Sequence, residues 1–343
     1  MASEMKIARY LKSYLINGIV AWIRRTAKSR DLACIKLRPE LSQAIHVVLM
    51  IVKNEQSRIP FFLRYYRNLG FQHFVAIDNC STDGTREILL QEHDVSLFEA
   101  KGGFKSARFG MDWVNHIAAK YCANKWLLHV DADEFLVFEG YKTRKILEFT
   151  KDLAARNQIS VQCVMLDMYS DRLPSENFYR SGQDPLTICN KFDASGYQVT
   201  YDSVSRTSWI KGGVRNRLFF EEISSSPALN KTPLTYWKSH YAFIKCAHEL
   251  WPPRLNNGDS IEGGPHHGAL LHFKFLSDFD SKILNEITSQ QHTAEYSQYI
   301  LGANRAYEKG FVFSETVDYN DWNTLVQVGL ISQIYSKESR VTV

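Results

Sequence analysis

The cysteines of this chain never fall at C-x-x-C spacing. Cys34, Cys80, Cys122, Cys163, Cys189 and Cys246 are scattered, which excludes a zinc knuckle, a thioredoxin-type motif and a dense disulfide framework. The simple expectation is a reducing, cytoplasmic compartment. Uncharged apolar runs of about 18 residues are also missing, so no span of a bilayer is predicted. The longest apolar stretch near the start, 13–23, is bounded by Lys12 and Arg24 and lacks a small-residue cleavage site, against a secretory signal. No G-x-G-x-x-G or G-x-x-x-x-G-K-[ST] follows a predicted strand, which disfavours a dinucleotide fold and a phosphate-cradling loop. Charge is nearly balanced: Lys+Arg 41 against Asp+Glu 37 leaves +4, not the basic face of a nucleic-acid binder. Repeats and low-complexity tracts are absent too.

Aromatics, in contrast, are plentiful (Tyr 17, Phe 20, Trp 7), enough to fill a core and line a cleft. Residues 5–30 carry Lys6, Arg9, Lys12, Arg24, Arg25, Lys28 and Arg30 and no acid. Ala8, Leu11, Leu15, Ile19, Trp22 and Ile23 recur at three- and four-residue steps along one helical stripe. A basic helix of this kind can lie in an anionic membrane surface, here the inner face of the cytoplasmic membrane. The alternative is a helix packed on the domain with its charges in water. From Ala44 the pattern changes. Residues 45–52 form a β-branched apolar run expected of a strand buried on both faces. A helix over 60–69, strand 73–77, helix 85–91, strand 95–98, helix 107–121 and strand 126–130 follow. Such alternation predicts an α/β fold with a parallel sheet covered by helices and ligands at the strands' carboxyl ends.

Polar clusters stand where these strands end: Lys53-Asn54-Glu55, Asp78-Asn79 and Asp131-Ala132-Asp133-Glu134. In an extended Asp131-Ala132-Asp133 the two carboxylates point the same way. Two hard oxygen ligands without a nearby cysteine suit Mg²⁺ or Mn²⁺, which could bridge the phosphates of a nucleotide-sugar. The segments Met50–Glu55, Asp78–Thr85 ("DNCSTDGT") and His129–Phe135 ("HVDADEF") resemble successive motifs of bacterial family 2-type glycosyltransferases. The resemblance covers 44–140 well and continues more weakly beyond. It implies the GT-A fold, a Rossmann-like mostly parallel sheet flanked by helices, with an acceptor-binding C-terminal half. It also implies a UDP- or GDP-sugar donor and Mn²⁺ or Mg²⁺. Carried over by position, Asn54 and Glu55 would line the nucleotide pocket. Asp78 would sit by the base or ribose, with Asp83 shaping its loop or capping a helix. Asp131 would contact ribose or metal, and Asp133 would ligate the metal. A histidine after the acceptor region completes the metal shell in many such enzymes, a role that falls to His272. His248 also matches a histidine of the branch.

Transfer with inversion needs a group to take the acceptor's hydroxyl proton. Asp167, Asp171, Asp202, Glu249 and Glu262 are the candidates, and Asp167 is favoured because it ends a predicted strand; Glu134 is second. In 211–217, Arg215 and Arg217 would share one face of a strand and grip a phosphate or an acidic acceptor, and Lys231 is a weaker version of the same idea. Gly263–Gly268, with His266 and His267, reads as a loop that could close over the donor.

The expected organisation is a basic amphipathic segment (1–40), a glycosyltransferase domain (44–290, divided at 140/141 into nucleotide-sugar and acceptor halves) and a helical extension (291–343). The expected function is metal-dependent, hexosyltransferase-like transfer, inverting by resemblance, to a glycan or glycolipid of the bacterial surface such as lipopolysaccharide core or another polysaccharide. The alternatives are a nucleotidyltransferase acting on sugar phosphates and a non-catalytic, membrane-peripheral binding protein.

Overall fold

In His46–Val52, successive side chains enter two separate apolar layers: Val48, Met50 and Val52 one, Val47 and Leu49 the other. Phe74 and Ala76 alternate with Val75 and Ile77 in the same manner. Strands clothed on both faces must be central, and helices must cover them. A computed structural model shows this arrangement and describes residues 2–256, 267–289 and 295–333. Glu262, His266 and the final ten residues lie outside the described residues.

In chain order the strands are β1 (Leu32–Lys36), β2 (His46–Val52), β3 (His73–Asp78), β4 (Val95–Ala100), β5 (Trp126–His129), β6 (Glu134–Phe138), β7 (Ser160–Asp167), β8 (Lys191–Asp193), β9 (Tyr197–Asp202), β10 (Thr207–Gly212), β11 (Asn230–Tyr236), β12 (Ala242–Lys245), β13 (Glu249–Trp251), β14 (Gly268–His272) and β15 (Thr316–Asp318). The helices are α1 (Ala2–Lys28), α2 (Ile59–Leu69), α3 (Thr85–Gln91), α4 (Met111–Tyr121), α5 (Ile146–Ala155), α6 (Gly213–Phe219), α7 (Phe279–Ser289), α8 (Glu295–Lys309) and α9 (Trp322–Gln327). Local chemistry sets their ends. Pro60 stands in the first turn of α2, and Gly70, at φ 95°, closes it in the left-handed conformation, its N–H returning to the Arg67 carbonyl.

A nine-stranded sheet in the order β1-β4-β3-β2-β5-β11-β7-β14-β6 forms the centre. β4, β3, β2, β5, β7 and β14 run one way, and β1, β11 and β6 run against them. The expected mostly parallel, Rossmann-like sheet flanked by helices is therefore present. Residues of α2, α3 and α5 join the core on one face, α4 the other, and α6, α7 and α8 build a third apolar cluster. Two features depart from expectation. β1, in the predicted N-terminal segment, pairs with β4 and extends the sheet. Three strands from beyond residue 140 (β11, β7, β14) insert between β5 and β6, so the two predicted halves interleave.

The run expected to place Arg215 and Arg217 on one strand face is instead β10 followed by α6. Gly212 makes that switch: its φ is +126°, and a Cβ there would lie 2.0 Å from the Gly196 carbonyl oxygen. Neither backbone can yield without breaking the β9–β10 pairing, which sets Gly212 opposite Tyr197. Gly212→Ala should therefore lower unfolding stability by about 2–4 kcal/mol, measured by urea denaturation. A variant as stable as the parent would remove this role of Gly212.

Candidate functional site

The parallel strands bring their carboxyl ends to one edge, and the opposed β6 and β11 begin there. This edge therefore gathers Asn54 and Glu55 after β2, Asp78 of β3, Asp131 and Asp133 after β5, Glu134 of β6, Asp167 of β7, Lys231 of β11 and His272 of β14. Only residues 130–133 separate β5 from β6, although three strands lie between these two in the sheet. The acidic turn accordingly crosses the ends of β11, β7 and β14.

Two of these crossings have a contact. Over β11, the buried Lys231 ammonium donates to Asp131 Oδ2 at 3.0 Å and contacts the Glu134 carboxylate. Over β14, His272 Nε2 lies 3.5 Å from Asp133 Oδ2. Beneath, His272 Nδ1 donates to Asp167 Oδ1 at 2.6 Å, and Arg215 Nε donates to Asp167 Oδ2 at 2.7 Å. Asp167 thus has both oxygens engaged, which suits it to hold the His272 ring and does not suit it to accept a substrate proton. Against strong desolvation, the carboxylates of Asp133 and Asp167 raise His272 to about 9. Burial opposes ionisation of Asp133 as well, but the adjacent His272 holds it well below the ordinary carboxylate range. Asp131 is lowered by Lys231 against the desolvation of the cleft. Glu134, almost wholly buried, is raised by burial to about 7.

The chemistry of this donor set fits a divalent cation. Asp133 Oδ2 offers a hard oxygen, and His272 Nε2 offers an imidazole nitrogen once it sheds its proton. Asp167 on Nδ1 fixes the ring, the usual supporting contact of a metal-bound histidine. A mixed oxygen and nitrogen set suits Mn²⁺ better than Mg²⁺. Asp131, half-exposed and two residues away, shares its charge with Lys231. Among the described residues, the group in which three such donor atoms lie within 4.8 Å of one another is a different one, Glu92, His93 and Asp94. That group precedes β4 at the opposite edge, and Arg67 already pairs with both acids.

Toward β2 and β3, Asp78 accepts the Ser81 amide through Oδ1 at 3.1 Å, while Oδ2 is buried without a hydrogen-bond partner. Asn54, at φ 57°, accepts the Thr82 amide at 2.8 Å. Asp83 accepts the Gln56 and Thr85 amides and the Thr85 hydroxyl. Asn54 and Asp83 therefore tie the loops after β2 and β3 together, and Asp83 also serves the start of α3. Glu55 is held by Arg58 at 3.0 Å and Lys282 at 2.8 Å, and Arg58 also grips Asp278 of the α7 entry. Nothing in the sequence pattern marked Arg58, Asp278 or Lys282, because the pairs that join the two groups, Arg58–Asp278 and Lys282–Glu55, lie 220 and 227 residues apart.

The remaining candidates are differently placed. Arg217 does not share a face with Arg215: it binds Asp193 and the Phe311 carbonyl and lies over the Phe313 ring, anchoring the C-terminal segment. His248 Nδ1 lies 2.6 Å from the Asn230 carbonyl oxygen, and burial lowers its pKa to about 4, so the ring is neutral. Asp171 is exposed, and Asp202 accepts the Val204 amide in a turn. Glu249 is buried beside Lys245. His267, the described histidine of the predicted closing loop, contacts Ser332.

The chain matches no family model and no curated protein. Among solved structures it is similar to mannosyltransferase PcManGT from Pyrobaculum calidifontis in complex with GDP-Man and Mn²⁺, at 16% identity and a TM-score of 0.26. The likeness covers 51% of this chain and 49% of that one, so the chain spans about half that protein's length. Similarity this slight carries no functional argument.

Lys231 is the cation paired with the buried Glu134, and it opposes the rise that burial imposes on that carboxyl. Lys231→Met should cost about 3–5 kcal/mol in thermal or urea unfolding, since it leaves an uncompensated acid. Adding Glu134→Gln should recover more than half of that loss. A double variant as unstable as the sum of its parts would show that the two groups are not coupled.

Proposed function

We propose that the chain is a metal-dependent glycosyltransferase with a GT-A-type fold, moving a sugar from a nucleotide-diphospho-sugar to an acceptor. One observation carries the reading: Asp133, His272 and Asp167 form a relay on the strand edge that also presents the orphaned Asp78 oxygen. A packing role explains neither the buried lone oxygen nor three ionisable groups stacked behind an acidic turn.

A divalent cation held by Asp133 and His272, with Asp131 beside them, would act as a Lewis acid that offsets charge on the departing diphosphate. Asp167 acts as a positioning residue: it fixes the tautomer and direction of His272, and Arg215 keeps Asp167 ionised. Asp78 Oδ2 takes an N–H or O–H of the donor's base or ribose. Asn54, Asp83 and Glu55 hold the loops that shape this pocket, and Lys231 keeps Asp131 and Glu134 in place. For the acceptor we rely on the resemblance alone: a bacterial surface glycan or glycolipid, lipopolysaccharide core among them, with inversion at the anomeric carbon.

A panel of UDP- and GDP-sugars, read by released nucleoside diphosphate, tests the reading. Turnover with Mn²⁺ should fall at least about 100-fold in Asp133→Asn, with the melting temperature retained. Silence across the panel would sink the proposal, and full turnover in excess chelator would sink its metal-dependent form. Pyrophosphate release from a nucleoside triphosphate and a sugar phosphate would favour nucleotidyl transfer. Asp78→Asn should weaken nucleoside diphosphate binding about tenfold by calorimetry, whereas unchanged affinity would remove Asp78 from the pocket. Proton NMR of the product's anomeric centre decides inversion against retention.

A further inference from the structure

A surface helix ordinarily turns its apolar stripe to the core and its charges to water. The described part of α1 does the reverse. Leu15, Ile16, Ile19, Val20, Trp22 and Ile23 are all exposed, between 43% and 58%. At about 100° per residue they fill a single arc of the helix. The opposite arc is small and polar, and this is the face that packs. Ala21 is buried, and a Cβ at Gly18 would lie 2.6 Å from the Trp251 ring. Arg24 donates to Asp112 at 3.0 Å and to the Ser106 carbonyl, and Arg25 donates to the Ser239 carbonyl at 2.6 Å. The helix is thus fastened through hydrogen bonds to α4 and to the segments at Ser106 and Ser239, and it packs on Trp251 of β13, with its hydrophobic side left outward.

We infer that this face of α1 docks the protein on an anionic lipid bilayer. Six neighbouring large apolar side chains form a patch beyond what scattered surface hydrophobics produce. The aromatic among them, Trp22, combines an apolar ring with a polar N–H, as interfacial residues do. Charge selects the occupant. Residues 5–30 hold seven Lys and Arg and no acid, and although Arg24 pairs with Asp112 and Lys28 with Asp31 on the packed side, the segment keeps a net positive charge that attracts an anionic surface. No helix among the described residues is long and apolar enough to cross a membrane, so α1 would lie in the interface plane rather than span it. The inference stands apart from the donor-site chemistry, since no residue of this face belongs to that edge.

The test is co-sedimentation of the full chain with phosphatidylcholine vesicles, with and without phosphatidylglycerol. The protein should pellet with anionic vesicles, stay largely in the supernatant with neutral ones, and be released from the former by high salt. Ile19→Asp/Ile23→Asp, at exposed positions, should keep the melting temperature and bind at least about tenfold more weakly. Parent protein that ignores anionic vesicles, or binds neutral ones equally, overturns the inference. A double variant that pellets like the parent also overturns it. A dimer seen by light scattering and abolished by the same double variant would assign the face to a second copy instead.

Discussion

Four residues have to carry the chain from β5 to β6 across the ends of three intervening strands. The backbone does not make this crossing in the extended form expected of Asp131-Ala132-Asp133: the Glu134 N–H donates to the Asp131 carbonyl at 3.1 Å and closes a turn. The turn is held against the sheet by its side-chain contacts to Lys231 and His272. Its side chains meet an ammonium on β11 and an imidazole on β14, and that imidazole rests in turn on the β7 carboxylate. The acidic motif is consequently set by the topology of the sheet as much as by its own residues.

Crowding acids against a strand edge is costly unless each finds a counter-charge. The chain supplies Lys231 for Asp131 and Glu134, Arg215 for Asp167, and the imidazolium of His272 between Asp133 and Asp167. Farther out, Arg58 and Lys282 bind Glu55 and Asp278. The buried cations come from elements remote in sequence, so the cleft is assembled only when the whole sheet has formed. In the proposed metal site His272 would be the member that exchanges its proton for the cation, because Asp167 holds the other ring nitrogen.

Much of the first half was legible because doubly buried parallel strands write themselves as apolar runs. β2, β3, β4, β5 and the helices between them fall within a few residues of where patterning puts them. The edge strand β6 was hidden inside the acidic motif, and Pro233 masked β11, whose pairing with β7 shifts register between Lys231 and Leu234. Arg215 and Arg217 looked like neighbours on a strand, yet Gly212 starts a helix that sends them to different carboxylates. Asp167 was chosen for its place at a strand end, and that place was right. Its partners, 48 residues downstream at Arg215 and 105 at His272, have no local trace in the sequence.

The insertion of β11, β7 and β14 between β5 and β6 bears on how such a protein can change. Cassette exchange, in which one donor-binding front is joined to many acceptor-binding backs, needs a seam that backbone pairing does not cross. Here the seam is threaded: the segment up to Gly140 contributes the outermost strand on the far side of its successor's strands. If the chain is the transferase proposed, new acceptor preferences would be reached by altering loops on this shared sheet, and not by splicing one half onto another.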